Sequence, residues 1–153
     1  MSIESRHGWH DLYISLGAWP ERIIEAVNLG NRERDELDFY LSFFVQCHSL
    51  RDWALKNAII EKDVIDMAID SYDCMKLCRD IANRYKHLEI SKPSMDANWS
   101  IWIDYDHPDN AWSITANRKT WAIWELMVEC LSFWEAAAVA LNLDGPPKVF
   151  RPA

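Results

Sequence analysis

Apolar residues recur at steps of three and four along residues 19–88, at every second position over 99–116, and at steps of three and four again over 120–143. The first spacing is that of a helix with one buried face and the second that of a half-buried strand. A chain that switches period twice in this way is restricted to helices interrupted by a short antiparallel insertion. Trp19-Pro20-Glu21-Arg22 opens the first helix, with proline in the first turn and an acid just inside it, and Gly30-Asn31 closes it. A long helix is predicted over 32–57, a short amphipathic one over 61–70 and another long one over 71–88. Ser91-Lys92-Pro93-Ser94 then stops helical growth. Positions 99, 101, 103 and 105 share one strand face, residues 106–110 form a turn, and 111–116 alternate again, so a two-stranded hairpin is predicted. The run 120–143 predicts a strongly apolar last helix, buried on most sides, whose polar members Glu125, Glu129 and Ser132 lie on one narrow stripe. The predicted fold is mainly α: an antiparallel bundle of four to five helices with a β-hairpin at about 99–116 before the C-terminal helix. Residues 1–153 form one domain, with 1–19 as an N-terminal arm and 144–153 as a C-terminal tail.

A chain of 153 residues that is 50% hydrophobic and contains four glycines has the makings of one ordered core. At that length folding hides roughly 68–70% of the unfolded surface, so neither a disulfide nor a metal is needed for stability. Lys and Arg total 16 against 24 Asp and Glu, a net charge of −8. This balance excludes a simple electrostatic binder of nucleic acid or of an anionic membrane. No run of about 18 uncharged apolar residues is present, and the start MSIESRHGWHDLY is not a secretory leader, so a cytoplasmic protein without membrane contact is expected. The nine tryptophans supply large apolar area, mostly to the core, each with an indole N–H that needs a partner.

Function is sought where polar residues break the apolar pattern, because an ion buried without a partner costs several kcal/mol. On the 32–57 helix, Tyr40, Phe43, Cys47, Leu50 and Ala54 mark the centre of the apolar face, and His48, Arg51 and Asp52 fall within its flank. They either extend to solvent or line a polar pocket between two long helices. On the 71–88 helix, Asp80, Asn83, Arg84 and His87 form a polar stripe opposite the core face. A solvated face is the plain explanation for such a stripe. Against it, residues 76–92 hold five basic residues and two acids, the one positive region of an acidic chain, where a phosphate-bearing ligand would settle. His87, near the helix C-terminus, is placed to serve as an acid toward a leaving oxygen.

Cys47, Cys74, Cys78 and Cys130 are expected as reduced thiols that pack as small hydrophobes. Cys74 and Cys78 are one helical turn apart, with no second pair at zinc-site spacing. A metal set of His48, Asp52, Asp80 and His87 ranks below the other readings, since the Glu-x-x-His signature of di-iron bundles is absent, and no cofactor is expected. Glycines at 8, 17, 30 and 145 cannot build a phosphate loop, and no Gly-x-Ser-x-Gly elbow is present. His7, His10 and His107 are read as surface residues.

The long helix carrying FFVQCHSLRDWALKN, followed by CRDIANRYKHL, a strand pair and a Trp-rich last helix, resembles a bacterial branch of the HEPN superfamily, the higher eukaryote and prokaryote nucleotide-binding domains. The resemblance spans about residues 35–143. It implies a helical bundle that forms a homodimer and binds nucleotide or RNA phosphate, with metal-independent ribonuclease activity of toxin or defence type. Carried onto this chain, it implies His87 as acid/base, Arg84 and Arg79 on phosphate, and Asn83 and Asp80 positioning them; His48, Arg51 and Asp52, read from the helical wheel, would line the same hollow. In that superfamily Arg and His stand about four to six residues apart on one helix. Here seven residues separate Arg79 from His87 and two separate Arg84 from His87, so neither pair has the superfamily spacing, and a related site would be built from Asn83, Arg84 and His87, adjacent on one helical turn. A different class of function is a non-enzymatic protein-interaction module, antitoxin-like or defence-associated, in which the excess Trp serves a protein partner.

Overall fold

The computed structural model describes residues 8–29, 33–57, 59–86, 99–104 and 111–140. These hold six helices and three strands in the order α1 (Trp9–Leu16), α2 (Trp19–Asn28), α3 (Glu33–Lys56), α4 (Lys62–Asp70), α5 (Asp73–Lys86), β1 (Ser100–Asp104), β2 (Ala111–Ala116), β3 (Lys119–Ala122) and α6 (Ile123–Ala140). The protein is mainly helical, with a small antiparallel sheet before the last helix. The Gly30-Asn31 stop, the 91–94 break, His87, the 106–110 turn with His107, and the tail 144–153 lie outside the described residues.

Helix α3 is the central element, packing against α1, α2, α5 and α6. The wheel explains why: Tyr40, Phe43, Phe44, Cys47, Leu50 and Ala54 are all buried along it. Leu77, Cys78 and Ile81 of α5 and Leu126, Met127, Cys130 and Trp134 of α6 fill the same core. Ile65 and Ile69 bring α4 onto it, leaving Val64 and Met67 on that short helix exposed.

Three expectations are corrected. The N-terminal arm contains a docked helix, α1, whose Trp9 packs edge-on against Trp134 at 6.0 Å and stacks on Tyr13 at 5.2 Å. The Trp9 backbone N–H donates to Asn57 Oδ1 at 2.7 Å, which ties α1 to the end of α3. His10 is therefore a core residue, 4% exposed, and not a surface one. Tertiary docking, not the intrinsic preference of an eight-residue segment, makes this helix.

The predicted hairpin is a three-stranded sheet ordered β1-β2-β3, because 119–122, of which 120–122 was expected to begin the last helix, is a strand. Asn117 and Arg118, with φ of 52° and 63°, form a two-residue connection between Ala116 and Lys119. Positive φ at both central residues is the geometry whose twist matches a hairpin. Register aligns Ile101 with Ile114 and Ile114 with Trp121, an apolar row across the sheet. Both β2 and β3 pack on α6. On the other side Trp102 donates its indole N–H to Thr115 Oγ1 at 3.0 Å, consistent with the alternation predicted for 99–102.

Candidate functional site

The third correction concerns the α5 stripe. Asp80 is 0% exposed and Asn83 and Arg84 are half-buried, so this face is embedded in the molecule and not turned to water. The wheel placed it opposite the core relative to the helix axis, but Asp80 is enclosed and Arg84 is met by chain from beyond the helix. The Arg84 guanidinium lies 4.4 Å from the centre of the Trp99 ring, and Nη1 donates to the Trp99 carbonyl at 3.3 Å. A guanidinium stacked on an indole keeps in-plane N–H groups directed sideways, the geometry suited to a phosphate or carboxylate.

The 48–52 cluster is drawn in another direction. Arg51 donates through Nε to Asp66 Oδ1 at 2.6 Å and through Nη2 to Asp66 Oδ2 at 3.0 Å, a two-pronged pair with α4. Its Nη1 reaches Asp52 Oδ1 at 2.9 Å, and Lys62 Nζ adds a second cation to Asp66 at 3.0 Å. Hydrogen bonding from Arg51 outweighs the opposing effect of burial and, with help from Lys62, lowers the Asp66 carboxyl from 3.8 to about 2. The same bond holds Arg51 above its ordinary range. These contacts clamp the short helix to α3. His48 is half-buried on α3, and Arg79 pairs with Asp70 at 2.6 Å across the α4–α5 junction. Thus Arg51, Asp52 and Asp66 meet in one ion network, Asp80, Asn83 and Arg84 share a face of α5 on which Trp99 packs against Arg84, and Arg79 bridges two helices.

Two features escaped the sequence pattern. One is an apolar groove of about 880 Å³ between α4, the start of α5, β3 and α6, walled by Val64, Tyr72, Val128 and Phe133, with Asp73, Glu129 and Lys119 at its polar edge. None of the sequence-predicted site residues lines it. This hollow and the embedded polar stripe are distinct, and a buried carboxyl one helical turn from a guanidinium packed on an indole is the stronger signal of a polar-ligand site. The other is the convergence of Cys47, Cys78 and Cys130, all buried, with sulfurs within 4.8 Å of one another. These are the residues among those described that present a metal-like donor set.

Comparison of the chain with protein-family models, with curated proteins and with solved structures finds no match in any of the three.

Proposed function

We propose that the protein binds a nucleotide or RNA phosphate on the α5 stripe, with Arg84 as the anion partner, Asn83 and Asp80 as positioning groups and His87 as the acid/base of a metal-independent ribonuclease that works as a homodimer. One observation carries this reading: the complete burial of Asp80 one helical turn from an Arg84 that is stacked on Trp99. A solvated stripe requires no such enclosure, whereas a polar site in an apolar bundle does. The chemistry required is small. A base takes the proton of the attacking 2′-hydroxyl, a cation stabilises the charge that develops on phosphate, and an acid protonates the leaving oxygen. His87 lies one turn beyond Asn83 and Arg84 in the sequence and supplies the proton-transfer group of the proposal.

The test is incubation of purified protein with a labelled single-stranded RNA in the presence of chelator, beside calorimetric titration with a mononucleotide. The expected result is cleavage by the wild type that falls about 10²-fold or more in His87→Ala, the usual size of an acid–base contribution, together with nucleotide binding that Arg84→Ala abolishes. Equal cleavage by wild type and His87→Ala removes the catalytic assignment. Equal nucleotide binding by wild type and Arg84→Ala removes the site.

The groove favours a second reading, a module that holds a protein partner. Val64, Tyr72 and Val128 are exposed along it, and Asp73 and Glu129 border it. On an acidic chain the fitting occupant is an amphipathic segment of a basic protein, its apolar face against Val128 and Phe133. Co-purification from the host followed by Val128→Glu decides: loss of a basic partner in Val128→Glu but not in Arg84→Ala supports this function, and unchanged retention in Val128→Glu ends it.

A further inference from the structure

The chain has four cysteines, and three separate helices bring all of them into one neighbourhood. Cys47 on α3, Cys78 on α5 and Cys130 on α6 are buried completely, and their sulfurs lie within 4.8 Å of one another. Cys74, four residues before Cys78 on α5 and 8% exposed, is the fourth: the Cys130 thiol donates to its carbonyl at 3.5 Å. We propose that Cys47, Cys78 and Cys130, with Cys74 completing the set, form a thiolate site for one thiophilic divalent ion of the zinc class.

Geometry supports this first. Zinc holds sulfur at about 2.3 Å, so two sulfurs on one tetrahedral ion stand about 3.8 Å apart. A triangle with sides within 4.8 Å therefore closes onto an ion by side-chain adjustments of about 1 Å. The hard-ligand alternatives do not apply, because soft sulfur donors from rigid helices select zinc-like or cuprous ions over magnesium or calcium.

Trp134 provides an independent sign. Its indole N–H is buried without a hydrogen-bond partner in the same core that holds Cys47, Cys78 and Cys130. An indole N–H beside a metal-bound thiolate is an outer-shell contact of the kind that sets ligand orientation.

Cys74 and Glu129 form part of the wall of the apolar groove, so Cys74 is the member of the set that the groove reaches. Binding is not a redox step: each S–H that still carries its proton releases it to solvent as a sulfur–metal bond forms, and no electron is transferred. A site of this kind is structural, fixing α3, α5 and α6 together at the centre of the core.

The experiment uses the full chain purified under reductant and without air, titrated with Co²⁺ as a spectroscopic probe and then with Zn²⁺. Expected are about one ion per chain, an intense sulfur-to-cobalt charge-transfer band that Zn²⁺ abolishes, proton release on binding, and a melting temperature that rises with Zn²⁺ and falls with chelator. Cys47→Ser and Cys130→Ser should each lose the band. Should these variants fail to fold, the wild-type titration decides alone, together with thiol counting in native protein, where bound metal protects all four cysteines from a thiol reagent. A wild type that shows no charge-transfer band at saturating Co²⁺, or a disulfide within the cluster in protein isolated under reductant, overturns the proposal. So does an undiminished band in either serine variant.

Discussion

Arg51 and Asp66 show how a side chain that the sequence pattern marks as anomalous is explained by its partner. Both are largely shielded, and the pair is two-pronged with a second cation at Asp66, which makes it worth more than an ordinary surface ion pair. Lysine cannot reproduce the fork, so Arg51→Lys is expected to cost about 1 kcal/mol in urea unfolding. The pair also sets a pH dependence. Asp66 titrates at about 2 when folded against 3.8 ordinarily, a depressed carboxyl whose contribution is complete above 3.8 and is lost as pH falls through 2. After allowance for solvent screening the contribution is about 1 kcal/mol. The stability gap between wild type and Asp66→Asn should therefore be constant above about pH 5 and shrink toward pH 2. A gap that widens on acidification contradicts the assignment.

At the scale of elements, α3, α5, β1 and β2 were legible because each presents one face to the core over several periods, and a period is what a sequence displays. Strand β3 and helix α1 were hidden for different reasons. Lys119–Ala122 runs directly into the apolar last helix, and its turn, Asn117-Arg118, lacks the glycine that usually marks a two-residue hairpin. Arg118 instead holds φ of 63° with a full side chain. Relief of that strain exceeds the entropy a glycine adds to the unfolded chain, so Arg118→Gly should raise unfolding free energy by about 0.5 kcal/mol. A loss of stability in denaturant titration would count against the left-handed conformation. Helix α1 depends on a distant residue: Trp9 is buried against Trp134, over a hundred positions away. Trp9→Ala should cost about 3–5 kcal/mol as a truncation within a packed core. Loss of amide exchange protection should appear first in α1. Uniform loss across all helices would show that α1 is not a separable unit.

For the molecule as a whole, the residues of the candidate site were readable but their enclosure was not. A helical wheel fixes a side chain relative to its own axis, and Asp80 is buried by what packs on that axis, as the contact of Arg84 with Trp99, fifteen residues onward, illustrates. The thiol cluster was hidden for the same reason: the step from Cys74 to Cys78 is local, but Cys47 and Cys130 join them only through the relative placement of three helices. Net charge then decides what the proposed phosphate site can hold. At −8 the chain repels a polyanion everywhere except near a few cations. Phosphate contacts should therefore number one or two, centred on Arg84. For single-stranded RNA each contact contributes a slope of about −0.7 in log affinity against log salt, so the whole slope should lie between about −0.7 and −1.4. Affinity measured by fluorescence anisotropy should then fall only about 3- to 7-fold from 50 to 200 mM salt. Lengthening the oligonucleotide should leave affinity unchanged, because more phosphates meet no more cations. Arg84→Ala should flatten the slope by about 0.7. A steep slope that survives Arg84→Ala would mean that RNA is held by charge elsewhere, and the embedded stripe would lose its role as the phosphate site.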